Sequence, residues 1–455
     1  MCMHEEIGFR MENVAPPTGS PAARAEAVAC PGCGLLCDDL VVERSPGGDL
    51  KVVEHGCPKS IAFFERPLTP SSPRIAGQDA SLDSAVARAV QIVAQAHHPL
   101  IAGLGTDVQG MRAVMNLAET TGATIDHMNA KSSMRNLLVL QNSGWQITTL
   151  TEVRNRVDLL VIVGTDIVSY FPRFFERNVW NAESMFGQAT AAREIVYLGG
   201  RDIDTSAGIS PDGRQPTILP CDPDKIAEVL ATLRAIGSGK PLAATEVAGI
   251  AMDDLRQLAE RLANAKYSVI AWTASALNFP HAELAIQNIA GIVATLNQTT
   301  RSAGLPLSGS DGDLGAYNTS AWISGYPFRS SYRRGHPDYD PYHYSAEHML
   351  ATNEADALLW ISGFSPERQP PKNAVPTVVF GHPAMQLEHE PEVFIPVAVP
   401  GMDCTGTQFR SDSSVALPLK KLRDTPFPRL DEVLAAIEAA LPKKEAALPR
   451  KNTSC

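Results

Sequence analysis

The run VDLLVIVGTDI (157–167) is apolar at five consecutive positions and closes on Gly164 and Asp166. Nothing in it alternates, so both faces of the strand it predicts must be buried, which is the pattern of a parallel sheet covered by helices. EIVYLGGRDID (194–204), ADALLWISG (355–363), VPTVVFG (375–381) and EVFIPVAV (392–399) repeat the pattern, and PLIAGLGTDV and YSVIAWTASAL are shorter versions. Between them lie segments with helical periodicity. SLDSAVARAVQIVAQA (81–96) has Ser81 at its N-cap, and GMRAVMNLAETTGA, DPDKIAEVLATLRAIG, MDDLRQLAERLANA and HAELAIQNIAGIVATLNQ follow. Strand and helix alternating at this spacing predict an α/β fold with doubly wound parallel sheets, two of them. The strand-end turns GLGTD (103–107) and GTD (164–166) fall on the edge where such sheets bind ligands.

With 455 residues the chain is long enough for several domains. We expect a disordered lead-in over 1–28, a small cysteine-rich head over 29–76 and a first α/β domain over 77–245. A second α/β domain over 246–440 and a flexible tail over 441–455 complete the division. The Pro/Ser-rich connector RPLTPSSPRIAG (66–77) and the polar stretch GSGKPLAATE (237–246) mark the internal boundaries. A net charge of −11 carries no basic footprint for nucleic acid. No stretch approaches the roughly 18 apolar residues of a membrane span, and the first residues lack the apolar core of a signal peptide. These features predict a cytoplasmic protein, where clustered cysteines serve metal or redox chemistry rather than disulfides.

ACPGCGLLCDDL (29–40) concentrates three of the eight cysteines, and Cys57 completes a C-x2-C-x3-C-x19-C pattern with Cys30, Cys33 and Cys37. Thiolates so spaced suit the corners of a [4Fe-4S] cluster. Gly32 and Gly34 would let the backbone turn between ligands, and Pro58 would fix the chain beside the fourth. A four-thiolate zinc site and unoccupied thiols are the alternatives, although zinc knuckles usually supply two C-x2-C pairs. Cys2, Cys221, Cys404 and Cys455 are scattered.

The cysteine run, with Cys57 and then Lys59, resembles the N-terminal cluster segment of molybdopterin oxidoreductases, in which a basic residue lies between cluster and pterin. TTLTEVRNRVDLLVIVGTD (148–166), GTQFRSDSSVALPLKK (406–421) and YRRGHPDYDPYH (332–343) make the chain similar to the B subunit of formylmethanofuran dehydrogenase over nearly everything after residue 28. The resemblance implies a molybdopterin-oxidoreductase-like body, similar to the first three domains of formate dehydrogenase, with an iron-sulfur head. One departure matters. Where that family carries a cysteine or selenocysteine that ligates molybdenum or tungsten, followed by histidine, IDHMNAKSSMRNLLVLQ (125–141) has no cysteine; Ser132 takes the ligand position and Ser133 that of the histidine. The chain therefore most resembles the B subunit of the bacterial formyltransferase/hydrolase complex, whose chemistry is non-redox.

That resemblance implies a protein that docks an amidohydrolase-like subunit, a formyltransferase and a C-subunit-like partner. It further implies binding of a furan one-carbon carrier, with a [4Fe-4S] cluster and without molybdopterin or tungstopterin. Two other readings stay open: a redox-active molybdenum or tungsten catalytic subunit, and a zinc-binding interaction protein. GSDGDLGAYN (309–318) offers Gly309 and Gly312 for backbone approach to a phosphate-bearing cofactor, beside Lys59. His336, Asp338, His343 and His348 read as a polar family loop rather than a hydrolytic zinc site, and Arg154, Arg156 and Asp158 as structural.

Overall fold

The computed structural model describes residues 23–442. Two parallel sheets form the body. In the larger, Pro99–Gly105 pairs in parallel with Thr124–His127 on one side and Ala357–Ser362 on the other, and Thr377–Gly381 and Val393–Pro396 continue it. Short antiparallel strands extend both edges to nine strands. In the smaller, all-parallel sheet, Leu159–Val163 lies between Glu194–Leu198, next to Thr217–Leu219, and Ser268–Thr273, next to Ser302–Leu307. The strands 159–163 and 268–273 are buried at every position, as their unbroken apolar runs require. The smaller sheet runs 3-2-1-4-5 in chain order and the parallel core of the larger runs 2-1-3-4-5, the two common doubly wound orders. Among the described residues no helix is long and apolar enough to cross a membrane.

The expected boundary at 245/246 is not where the sheets divide. Leu159–Val163 and Ser268–Thr273 stand on opposite sides of it yet pair in register, Ser268 beside Leu159, and Pro99–Gly105 likewise pairs with Ala357–Ser362. The chain starts the larger sheet, inserts the whole smaller one, then returns. Periodicity identifies strands, but neighbours are chosen by pairing between residues far apart in sequence, which local pattern does not encode. The polar stretch 237–246 only leads into a two-stranded ribbon, Glu246–Val247 with Ile250–Ala251. The boundary at 76/77 also cuts a ribbon, Arg74–Ile75 with Gln78–Asp79, which extends the larger sheet.

The head consists of Ala23–Val28, Leu40–Arg44, Leu50–Glu54 and the helix Pro58–Phe64. Residues 23–28, expected in the lead-in, are an edge strand antiparallel to Leu40–Arg44. The rest of the lead-in, the tail from 443, and Cys2 and Cys455 lie outside the described residues. The head does not stand apart: Val28, Leu35, Leu40 and Phe64 share one buried cluster with Leu160, Ile162, Phe171 and Phe174 of the body.

Its seat is a backbone-to-backbone contact. A Cβ at Gly34 would lie 1.7 Å from the Ser308 carbonyl oxygen, and one at Gly309, whose φ is +106°, would lie 2.4 Å from the Gly34 Cα. The Ser411 amide donates to the Gly34 carbonyl at 2.7 Å. Gly34 thus answers to close approach rather than to a turn, and the positive φ of the cysteine loop falls on Leu36 instead. Gly34→Ala should therefore lower stability by at least about 2 kcal/mol through overpacking. Gly32→Ala, whose Cβ would meet the Lys59 carbonyl at 3.2 Å, should cost less. Thermal unfolding of the two variants checks the order.

Candidate functional site

Where the strands of both sheets end under the head, a cavity of about 330 Å³ opens. Cys33 and Lys59 line it from the head, and Asn129, Ser132, Ser133 and Asn136 from the body. The residues following Ser268–Thr273 (Ala274, Ser275) and Ser302–Leu307 (Ser308, Gly309, Ser310) face it. Tyr170, which ends the short helix Ile167–Tyr170 after Leu159–Val163, and Phe171 next to it face it too. The order of the smaller sheet reverses between 159–163 and 268–273, so the cavity sits at the crevice that doubly wound topology creates. Trp145, Tyr317 and Phe328 supply apolar wall.

The helix Ala130–Ser143 presents Ser132 in its first turn. Its hydroxyl donates to the Asn129 carbonyl at 2.8 Å, and the Ser133 hydroxyl to the same oxygen at 3.3 Å. Asn129 is itself fixed: its amide donates to His127 Nδ1 at 2.9 Å and its side chain to Ser310 Oγ at 2.9 Å. Burial lowers the His127 pKa to about 4, so this imidazole is neutral. Asp313, buried at the cavity wall, is raised to about 7 by burial, against the Leu314 amide that donates to it at 2.7 Å. The nearby Asp311 pushes it further the same way. Asp311 is itself paired with Arg368 at the cavity wall, at 3.0 Å.

Cys30, Cys33 and Cys37 are buried and Cys57 is partly exposed. The Cys30 amide donates to the Cys37 carbonyl at 2.9 Å, closing the loop, and the Gly32 amide points at Cys30 Sγ at 3.4 Å. Ser60 holds Cys57 by accepting from its amide at 2.8 Å. Burial raises the Cys30 and Cys33 thiols and pushes Cys37 to about 12. Cations oppose this: Lys59 acts on Cys33, and Arg177 and Arg173 on Cys37. The acidic pair after the third cysteine anchors those arginines. Asp39 takes Arg173 in two bonds of 2.7 and 2.8 Å, and Asp38 takes Arg177 at 2.8 Å. A mononuclear metal with Zn–S bonds of about 2.3 Å needs its thiolates within about 4 Å of one another. Among the described residues no three cysteine sulfurs lie within 4.8 Å of one another. A multi-iron cluster, with several metals between its ligands, spans a wider set.

Cys33, Lys59, Ser132 and Gly309 thus meet at one cavity. Gly312 does not line it; its φ is +77° and a Cβ there would lie 2.2 Å from the Thr106 carbonyl, so the chain's own backbone occupies the approach. Asp158 holds the Lys266 and Tyr267 amides at 2.7 and 3.0 Å, Arg156 pairs with Glu152 at 2.7 Å, and Arg154 donates to the Arg177 carbonyl at 3.2 Å. His343 and His348 come together, but Asp338 turns to Tyr344. Sequence reasoning missed Asn129, Asn136, Asp313 and Arg368. Asp313 lies inside GSDGDLGAYN, and Asn129 and Asn136 inside the 125–141 stretch, whereas nothing local marked Arg368.

No protein-family model matches the chain. It is 27% identical over 417 residues to the B subunit of tungsten-containing formylmethanofuran dehydrogenase 2 of Methanocaldococcus jannaschii, across 88% of this chain and 94% of that one. It is 28% identical over 336 residues to the B subunit of the formyltransferase/hydrolase complex Fhc of Methylorubrum extorquens, across 73% and 86%. These B subunits are its homologues. A chain of the X-ray crystal structure of the M. extorquens complex, FhcABCD with methylofuran, superposes with a TM-score of 0.68 at 26% identity, covering 81% of this chain and 98% of that one. The mixed α/β architecture with parallel sheets therefore matches that chain of the formyltransferase/hydrolase complex.

The raised Asp313 pKa sets a pH dependence. Its folded value, about 7, exceeds the ordinary 3.8, so the native state holds a proton that the unfolded chain releases. Stability on this account falls as pH rises from about 4 to about 7. Asp313→Asn should flatten that fall, measured by unfolding at stepped pH.

Proposed function

We propose that this chain is the B subunit of a formyltransferase/hydrolase complex in one-carbon metabolism, with a molybdopterin-oxidoreductase-like body given over to assembly and carrier binding. The observation that carries this reading is Ser132. It lines the cavity at the position the resemblance assigns to a metal-ligating cysteine, and its proton is committed to the Asn129 carbonyl. Cys33 is the cysteine among the lining residues, and it belongs to the head. Apart from Cys33, Lys59 and Arg368, the polar groups lining the cavity are hydroxyls, amides and the carboxyls of Asp313 and Asp412, which suit hydrogen bonding better than a soft redox metal.

A cavity of about 330 Å³ is at the small end of small-molecule sites, and its aromatic walls with a few placed polar groups fit a ring such as a furan. Exposed apolar side chains, Met185 with Phe186 and Trp322 with Ile323, offer surface for the amidohydrolase-like, formyltransferase and C-subunit-like partners. We assign a [4Fe-4S] cluster to Cys30, Cys33, Cys37 and Cys57. Buried thiols, the amide aimed at Cys30 and the cations around Cys33 and Cys37 support it. When bound, such a cluster supplies a covalent cross-link of the head and, if redox-active, an electron store. Because burial holds the Cys30, Cys33 and Cys37 thiols protonated, loading releases protons and weakens as pH falls.

One observation favours the redox reading: Cys33 and Lys59 both form cavity wall, so a cluster in the head would abut whatever binds there. The relatives include both kinds, a tungsten-containing dehydrogenase and a formyltransferase/hydrolase complex. Elemental analysis of the anaerobically purified complex separates them. The expected result is about four irons per chain, no molybdenum or tungsten, and Ser132→Ala leaving formyl transfer and hydrolysis within about twofold of wild type, a change of under about 0.5 kcal/mol. Molybdenum or tungsten near one per chain, lost in Ser132→Ala, would overturn the proposal.

A further inference from the structure

We infer a second metal site, independent of the cavity and the head: His343, His348 and Glu354 form a three-ligand site for a divalent ion of the zinc class, with the fourth position open to solvent. His343 Nε2 lies 3.3 Å from one Glu354 carboxylate oxygen and His348 Nε2 lies 3.7 Å from the other. The ligand atoms all fall within 4.8 Å of one another. A tetrahedral ion with bonds of about 2.0–2.1 Å places its ligands about 3.4 Å apart, so small side-chain rotations would close the set. Two imidazoles and one carboxylate are a hard-to-borderline donor set, unlike the four thiols of the head.

Each ligand residue has its backbone fixed separately. The His343 amide donates to Asp340 Oδ1 at 2.8 Å, and the His348 amide to Ser345 Oγ, the cap of helix Ala346–Ala351, at 3.2 Å. Past the end of that helix, Asn353 takes a φ of +55° and the Glu354 amide donates back to the Met349 carbonyl at 2.9 Å. This turn folds Glu354 over the helix it follows. Met349 and Ala355, buried beside the ligands, anchor the segment in the core, and Asp126 fixes its start by accepting from the Ala346 amide at 2.8 Å. Asp340, whose carboxylate accepts from the Tyr342 and His343 amides at 2.8 Å each, adds a second negative charge beside Glu354 against the two of the ion. The ligand side chains are 51%, 42% and 32% exposed, which leaves the ion an entry path and a free coordination position. The grouping of His336 and Asp338 with the later histidines is replaced, because Asp338 pairs with Arg334 and Tyr344.

Cobalt(II) titration of the reduced full-length chain tests this, since cobalt reports its donors. Expected is about one non-thiolate site per chain, with visible d–d absorption present beside, and independent of, any thiolate charge-transfer band from the head cysteines. Affinity should fall at least about a hundredfold in His343→Ala and in His348→Ala, and about tenfold in Glu354→Gln, with His336→Ala unchanged. Unfolding temperatures of the ion-free variants confirm that these exposed substitutions leave the fold intact. Cobalt taken up solely with thiolate charge transfer, or non-thiolate binding undiminished in the His343→Ala/His348→Ala double variant, would overturn the site.

Discussion

Gly34 rests on the carbonyl of Ser308 with no room for a side-chain carbon, and most of what is distinctive in this molecule follows from that contact. It sets the cysteine loop against the ends of the smaller sheet, so that Cys33 and Lys59 become walls of the cavity rather than features of a separate module. The contact is locked by charge. Arg173, almost fully buried, is gripped by Asp39 and by Glu176, and the pairing raises its affinity for its proton. Removing Asp39 would leave the guanidinium short of a partner in a low-dielectric setting, which is where broken ion pairs cost most. The same two aspartates hold the cations that ease ionisation of Cys37. Gly34, Asp38 and Asp39 thus share one stretch with Cys30, Cys33 and Cys37.

The two sheets behave as one framework around the cavity. Helix Ala130–Ser143 leaves the larger sheet and bonds to the smaller: Trp272 Nε1 donates to Asn136 Oδ1 at 2.9 Å and Arg135 to the Ala274 carbonyl at 2.6 Å. Ser132 is therefore placed by an element tied at both ends. Its hydroxyl is held by the Asn129 carbonyl at 2.8 Å, the arrangement of a hydrogen-bonding group.

Much of this was legible in the chain. The unbroken apolar runs at 157–167 and 355–363 announced buried parallel strands because burial of both faces leaves no polar position. The C-x2-C-x3-C-x19-C spacing marked the head, and the 125–141 stretch without cysteine contains Ser132, Ser133 and Asn136 of the cavity wall. Gly312 misled: its flexibility suggested a ligand, and the structure fills the space with Thr106. Glu354 was invisible because it lies beyond a helix from His343, and nothing local says that the turn at Asn353 brings it back.

Sequence alone determined the element types, the parallel character of the sheets, the cysteine quartet and the absence of cysteine from 125–141, since each depends on residues close together in the chain. Tertiary structure decided which strands are neighbours, how the smaller sheet is inserted into the larger, that the head shares the body's core, and which polar groups face the cavity. Those outcomes rest on contacts such as Leu159 with Ser268 and Gly34 with Ser308, between residues more than a hundred positions apart. Their selection depends on the simultaneous packing of all the layers, a global condition that no local periodicity contains.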